Sequence, residues 1–267
     1  METLQADAVV QSSAFEAFAR AGFVARGFVY ALIGALAVCL AVGVGGEATN
    51  QQGALETVAR QPLGHALLVA IAAGLAGYSV WRLTRAALGR GPEAHNDSLV
   101  DRVAGFGSGV FYGVLAYGAV DVLLSGHAAA GSVPRSTAGV FGWPGGRWAI
   151  LVAGLVMLVV GAYQGYRAVT AEFLDDAKTG DMADRTQRAF STVAVIGHLA
   201  RMVVFGLVGL FLAVAAIQYD PNKAKGLGGV LARVLREPGG NALMGVVAAG
   251  LVAFGVYSAA DARYHRL

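Results

Sequence analysis

One helical-hairpin pattern, repeated three times, constrains this chain more than any other feature. In the first copy a long apolar stretch opens with Arg26-Gly27-Phe28-Val29-Tyr30, and a loop carries Gly53-Ala54-Leu55 to Pro62-Leu63-Gly64. A second apolar stretch then runs through Gly74-Leu75 to Tyr78 and Trp81. The third copy keeps the order with Arg201, Phe205, Gly229-Val230-Leu231, Pro238-Gly239-Gly240, Gly250-Leu251, Phe254 and Tyr257. The second retains Gly109, Tyr112, Pro144, Gly146, Tyr163, Tyr166 and Arg167. Self-similarity over a unit this long marks triplication of one two-helix element. The chain is therefore an assembly of copies and not a soluble enzyme with an apolar tail.

Each copy holds two stretches long enough to cross a bilayer, whose hydrocarbon core takes about 20 apolar residues per helix. The predicted spans are 24–44, 64–82, 103–125, 148–170, 197–217 and 241–260. Charged residues make up 14% of the chain, well under the roughly 25% of soluble domains. Glycine, at 38 of 267 residues, weakens helices in water but lets them approach closely in lipid. The net charge of +3 does not gather into a basic patch, because the arginines and lysines sit at helix ends. That pattern speaks for topology signals and headgroup contacts and against nucleic acid. The lone Cys39 permits no internal disulfide and reads as a small buried hydrophobe. Residues 1–19 carry Glu2, Asp7 and Glu16 but no basic residue, unlike a cleaved signal.

Thirteen Lys and Arg residues fall on the N-terminal side of the spans and seven on the opposite side. The bias predicts a bacterial inner-membrane, multi-pass protein with both termini cytoplasmic. Hairpin boundaries are expected near residues 12–90, 97–174 and 188–267, separated by polar linkers at 88–101 and 175–187. On the outer side Leu227, Val230, Leu231, Val234 and Leu235 recur at helical spacing before Pro238, which predicts a short interfacial helix. Leu55, Val58 and Ala59 before Pro62 form a weaker version. The middle copy has Ser132-Val133-Pro134 and Phe141-Gly142-Trp143-Pro144-Gly145-Gly146 there, and is expected to be turn-rich and not helical.

Few residues invite chemistry. Arg26 and Arg201 hold equivalent positions in copies one and three, one turn before Tyr30 and Phe205, while the second copy has Ser108. The simpler reading lets them snorkel to headgroups; the sharper one places both at an internal anion or headgroup site. Tyr30 and Tyr112 follow the repeat and suit either an interfacial belt or a site lining. Asp121 is read as the acid best placed inside a span, where an ionisable group suggests a proton or cation site. Gln164 and His198 suit hydrogen bonds between helices. The five histidines lack metal-ligand spacing, so neither a metal nor another cofactor is expected. Asp175, Asp176, Asp181 and Asp184 lack the spacing of a calcium loop. Gly105, Gly107 and Gly109 lie on a membrane helix and suit close packing better than phosphate binding. No nucleophile–base set appears, so no enzyme activity is expected.

Ala25-Arg26-Gly27-Phe28-Val29-Tyr30-Ala31-Leu32-Ile33-Gly34, with Gly53-Ala54-Leu55, Pro62-Leu63-Gly64, Gly74-Leu75 and Trp81-Arg82, resembles the bacterial family called domain of unknown function 1206. The resemblance covers nearly the whole chain and weakens in copy two. It implies a triplicated two-helix inner-membrane protein and supplies no activity. The expected fold is an all-α membrane protein: six transmembrane helices as three tandem hairpins in a pseudo-threefold arrangement, with short outer interfacial helices. The preferred function is a non-enzymatic membrane interaction or scaffold protein, associated with membrane lipids and with a membrane-protein partner or further copies of itself. The alternative is a small channel, transporter or lipid- or ion-binding module with a site between the hairpins. Candidate site residues are Arg26, Tyr30, Tyr112, Asp121, His198 and Arg201.

Overall fold

The computed structural model describes residues 13–44, 51–88, 99–125 and 133–265. His95, His127, Ser132 and most of the 88–101 linker lie outside them. Among the described residues, six long apolar helices and three short ones follow one another as three long–short–long units. Helix α1 is Ser13–Ala41, α2 Gln51–Ala59, α3 Gly64–Leu88, α4 Leu99–Ser125, α5 Val133–Phe141, α6 Gly146–Thr170, α7 Asp184–Gln218, α8 Leu227–Leu235 and α9 Gly240–Tyr264. All six long helices have the length and apolarity to cross a membrane, and the chain is a multi-pass membrane protein. In hydrocarbon every backbone group must be satisfied within its own segment, which keeps these glycine-rich stretches helical. The fifth span begins well before residue 197: α7 starts at Asp184, so the last four residues of the expected polar linker are helix.

Each copy carries a short helix on the side opposite the linkers, including the middle one, where a turn-rich loop was expected. The correction has a local cause. Pro134 falls in the first turn of α5, where no helical N–H is needed, and Pro144 lies beyond the last turn. The exit turn is the same in all three copies. Leu63, Gly145 and Gly239 adopt φ of 63°, 79° and 73°. The next residues, Gly64, Gly146 and Gly240, press against the carbonyls of Val58, Val140 and Val234, where a Cβ would sit 2.0, 1.8 and 2.3 Å from the oxygen. A side chain at any of these three positions would push the short helix off the long one.

The long helices form a ring in chain order: α1, α3, α4, α6, α7, α9. Neighbours around it pack closely except α4 and α6, the two helices of the middle copy. The tightest contacts join one copy to the next, α1 with α9, α3 with α4, and α6 with α7. They use equivalent small residues. A Cβ on Gly27 would lie 2.6 Å from the Gly255 carbonyl oxygen, one on Gly161 3.0 Å from Gly206 N, and one on Gly113 3.0 Å from Ser79 Oγ. Gly34 meets Ala248 and Gly209 meets Gly154 in the same manner. Arginines brace all three joints. Arg20 donates to the carbonyls of Ala262 and Arg263, Arg102 to those of Ala86 and Ala87, at 3.1 and 2.9 Å, and Arg147 to those of Ala216 and Ile217, at 3.0 and 3.1 Å. All three satisfy carbonyls that a helix C-terminus leaves without partners.

Candidate functional site

Helix geometry decides what the ring encloses. On α7, Met202, Gly206 and Gly209 face α6, Gly197 and Ala200 face α9, and Ile196, Leu199, Val203 and Leu210 are exposed. The remaining stripe, His198, Arg201, Phe205, Val208 and Leu212, recurs at three- and four-residue steps and points into the ring. On α4, Gly105, Gly109 and Gly113 face α3 and Phe106, Val110, Val114 and Tyr117 are exposed, which turns Tyr112, Leu115, Ala119 and Val122 inward.

Arg26 lies seven residues into the candidate span Ala19–Ala41, about 10 Å at 1.5 Å per residue. It does not reach back to the headgroups. The residue is 7% exposed, and its guanidinium faces three helices. Nε donates to Ser258 Oγ at 2.7 Å and Nη1 to Tyr78 Oη at 2.8 Å. Nη2 stands 3.6 Å from the Asp261 carboxylate. Its carbon lies 4.9 to 5.4 Å from the ring centres of Phe23, Tyr78 and Phe254. The Ser258 hydroxyl in turn donates a hydrogen bond to the Phe23 carbonyl at 2.9 Å, which ties α9 to α1. The Tyr78 hydroxyl also accepts from Arg82 Nε at 3.2 Å.

Arg201 is placed differently. Its guanidinium carbon lies 4.2 Å from the Phe254 ring centre, 4.9 Å from Phe205 and 5.3 Å from Tyr30. Its Nε is buried without an acceptor, and the Tyr30 hydroxyl is buried without a partner. Among the described residues no carboxylate lies within ion-pairing distance of Arg201. Three aromatic faces stabilise the cation by its attraction to their quadrupoles, but they satisfy none of its N–H donors. Tyr112 packs edge-on against Tyr78 at 4.8 Å and sits within electrostatic reach of both Arg26 and Arg201.

His198 hydrogen-bonds through Nδ1 to Gln164 Oε1 on α6 at 2.6 Å. Its ring stacks on Phe173, 5.6 Å between centres and 14° between planes. Phe173 belongs to the segment between α6 and α7, which folds back beneath the ring. Phe173 and Ala177 are fully buried there. Ala177 pairs with His265, Lys178 N donates to the Tyr264 carbonyl at 2.7 Å, and Asp176 takes Arg167 as its ion-pair partner.

The sequence-predicted residues thus divide. Arg26, Tyr30, Tyr112, His198 and Arg201 share the ring interior. Asp121 stands apart: it lies nine residues beyond Tyr112 on α4, about 13 Å along the axis, and its carbonyl accepts the Ser125 hydroxyl. The buried acid of the cluster is Asp261, 3% exposed and 3.1 Å from His265 Nδ1. It lies in the last turn of α9, where an acid reads as an ordinary helix-end residue. Of the other partners the sequence singled out Gln164 alone, and the repeat offers one clue to the rest. Arg82, Gln164 and Ser258 are equivalent positions, polar in every copy, and each makes a buried or part-buried hydrogen bond inside the ring.

The family model described as Domain of Unknown Function (DUF1206) matches the chain three times, over residues 21–89, 103–171 and 196–265. The chain is 30% identical over 253 residues to YxxB, an uncharacterized protein of Bacillus subtilis strain 168, covering 94% of this chain and 91% of that one. No solved structure matches.

Proposed function

The chain belongs to the family described as Domain of Unknown Function (DUF1206), and we propose that, as a member of it, this membrane protein binds an anionic group in the aromatic-lined interior of its ring, without catalysing a reaction. The observation that carries the proposal is Arg201, a cation turned inward among three rings with a buried N–H that has no acceptor. Leaving such a donor unmet costs about 1–3 kcal/mol, more for a charged group. An ionisable group kept at that cost inside a membrane protein marks a site. Arg26 supplies the contrast, since Asp261, Ser258 and Tyr78 already engage it. Arg26 sets the frame, and Arg201 carries the free binding capacity.

This reading puts the protein in a bacterial inner membrane with both termini cytoplasmic, in line with the excess of basic residues on the linker side. A scaffold role draws support from the glycine-packed joints between copies, which suit a rigid body better than a moving one. The two readings part on one measurement. Purified protein is melted in detergent against sulfate or inorganic phosphate at constant ionic strength. Anion binding raises the melting temperature of the wild type and not of Arg201→Gln. An equal response in the two proteins, or none, leaves the scaffold reading.

A further inference from the structure

We infer that the anionic group is the phosphate of a membrane phospholipid, which enters the ring sideways between α4 and α6 from the leaflet on the linker side. The inference rests on the anion-binding reading and adds the source of the anion and its route.

The route follows from which sides of the ring are shut. Beneath the cluster, Phe173 stacks on His198 and Ala177 is fully buried, and the Arg167–Asp176 pair holds that segment in place. On the opposite side Leu55, Val58, Leu231 and Val234 of the short helices join the same buried core as Tyr30, Tyr112 and Phe254. Around the ring, the joints between copies are closed at glycines, against backbone between α1 and α9 and between α6 and α7, and against the Leu83 and Ser79 side chains between α3 and α4. Among the described residues, the interval between α4 and α6 is the one between neighbours around the ring without close packing. Its walls are apolar: Phe111 and Val114 on α4 and Val156, Val159 and Tyr163 on α6 are exposed. A free hydrated anion would have to shed its water along that wall, whereas an acyl chain crosses it at no cost in polar desolvation.

Depth selects the same ligand. Arg201 lies 17 residues before Gln218, the far end of α7, which is about 26 Å of helix. In a hydrocarbon core about 30 Å thick, that puts its Cα about 4 Å inside the linker-side rim, within side-chain reach of the phosphates of that leaflet. Arg201 and the Tyr30 hydroxyl then meet the phosphate, Phe205 and Phe254 flank it, and the tails leave between α4 and α6. Charge complementarity excludes a purely zwitterionic preference, because Arg201 has no carboxylate of its own to offset a choline or ethanolamine.

The test uses the full-length protein in nanodiscs of equal phosphatidylglycerol and phosphatidylcholine, read by native mass spectrometry after release into detergent. One retained phosphatidylglycerol is expected, with its occupancy reduced at least tenfold in Arg201→Gln and severalfold in Tyr30→Phe, which removes only the unpartnered hydroxyl. Photoreactive benzoylphenylalanine at Phe205 should cross-link phosphatidylglycerol selectively. The same probe at outward-facing Leu199 should label both lipids alike. Retention indifferent to Arg201, or equal labelling of both lipids at Phe205, would show annular lipid only and overturn the inference. A Phe205 cross-link to a second copy of the chain overturns it too. Loss of retained lipid together with an Arg201-dependent thermal response to inorganic phosphate overturns the lipid and keeps the anion site. Silence in both assays removes the anion site as well.

Discussion

At the scale of single residues, the two repeat-equivalent arginines have opposite energetic roles. Arg26 pairs with Asp261 and two hydroxyls, all buried. Breaking a buried pair by deleting one partner strands the other charge, at about 3–5 kcal/mol. Arg26→Leu is therefore expected to destabilise by that amount in a reversible denaturant titration, and adding Asp261→Asn should recover part of the loss. Arg201 strands no acid when removed, so Arg201→Leu should leave stability within about 1 kcal/mol of the wild type or raise it, since its buried donor is already unmet. Equal losses in the two variants would contradict this division. Leu63 offers a separate test. It holds a left-handed φ of 63°, is 85% exposed, and stands where the other copies have glycine. Relief of the left-handed strain outweighs the added chain entropy, so Leu63→Gly should stabilise by about 0.5–1 kcal/mol.

At the scale of elements, the joints between copies are made at glycines, and between α1 and α9 backbone meets backbone. Gly27 faces the Gly255 carbonyl, so Gly27→Val would drive α1 away from α9 and with it the Arg26–Asp261 pair. Overpacking of this kind costs about 1–3 kcal/mol or more. A Cβ on Gly245 meets nothing within 4 Å, and Gly245→Ala should be neutral or slightly stabilising in the same titration. The short helices were legible in copies one and three because Leu55 and Val58, like Leu231 and Val234, recur at helical spacing. The middle one was hidden by two prolines whose positions, first turn and past the last, are harmless to a helix. The signal that could have found it is the Pro-x-Gly exit turn shared by all three copies, a backbone requirement rather than a hydrophobic pattern.

At the scale of the whole molecule, the ring has a sidedness that the loop charges predict. In a Cys39→Ser background, a membrane-impermeant maleimide applied to intact cells should label Lys225→Cys beyond α7 and leave Lys178→Cys unlabelled until the membrane is opened. The reverse pattern would invert the assigned orientation. The middle copy breaks the threefold regularity twice, with Ser108 in place of an arginine and with α4 and α6 unpacked. The two departures coincide in space, since both fall on the open side of the ring.

The sequence by itself determined the triplicated membrane body, because repeat spacing, span length and the need to satisfy backbone groups in hydrocarbon leave few alternatives. It also singled out most of the interior residues, because Arg26, Tyr30, Tyr112 and Arg201 follow the repeat. Only the tertiary structure decided which way those side chains turn and what meets them. Both arginines sit near a span boundary, where snorkelling outward and pointing inward look alike in sequence. The choice depends on Asp261 and Ser258, more than 230 residues from Arg26 along the chain, and on three aromatic rings from different helices. Asp121 and Asp261 show the same limit from the other side. An acid's depth along its own helix says nothing of whether a neighbouring helix brings it a cation.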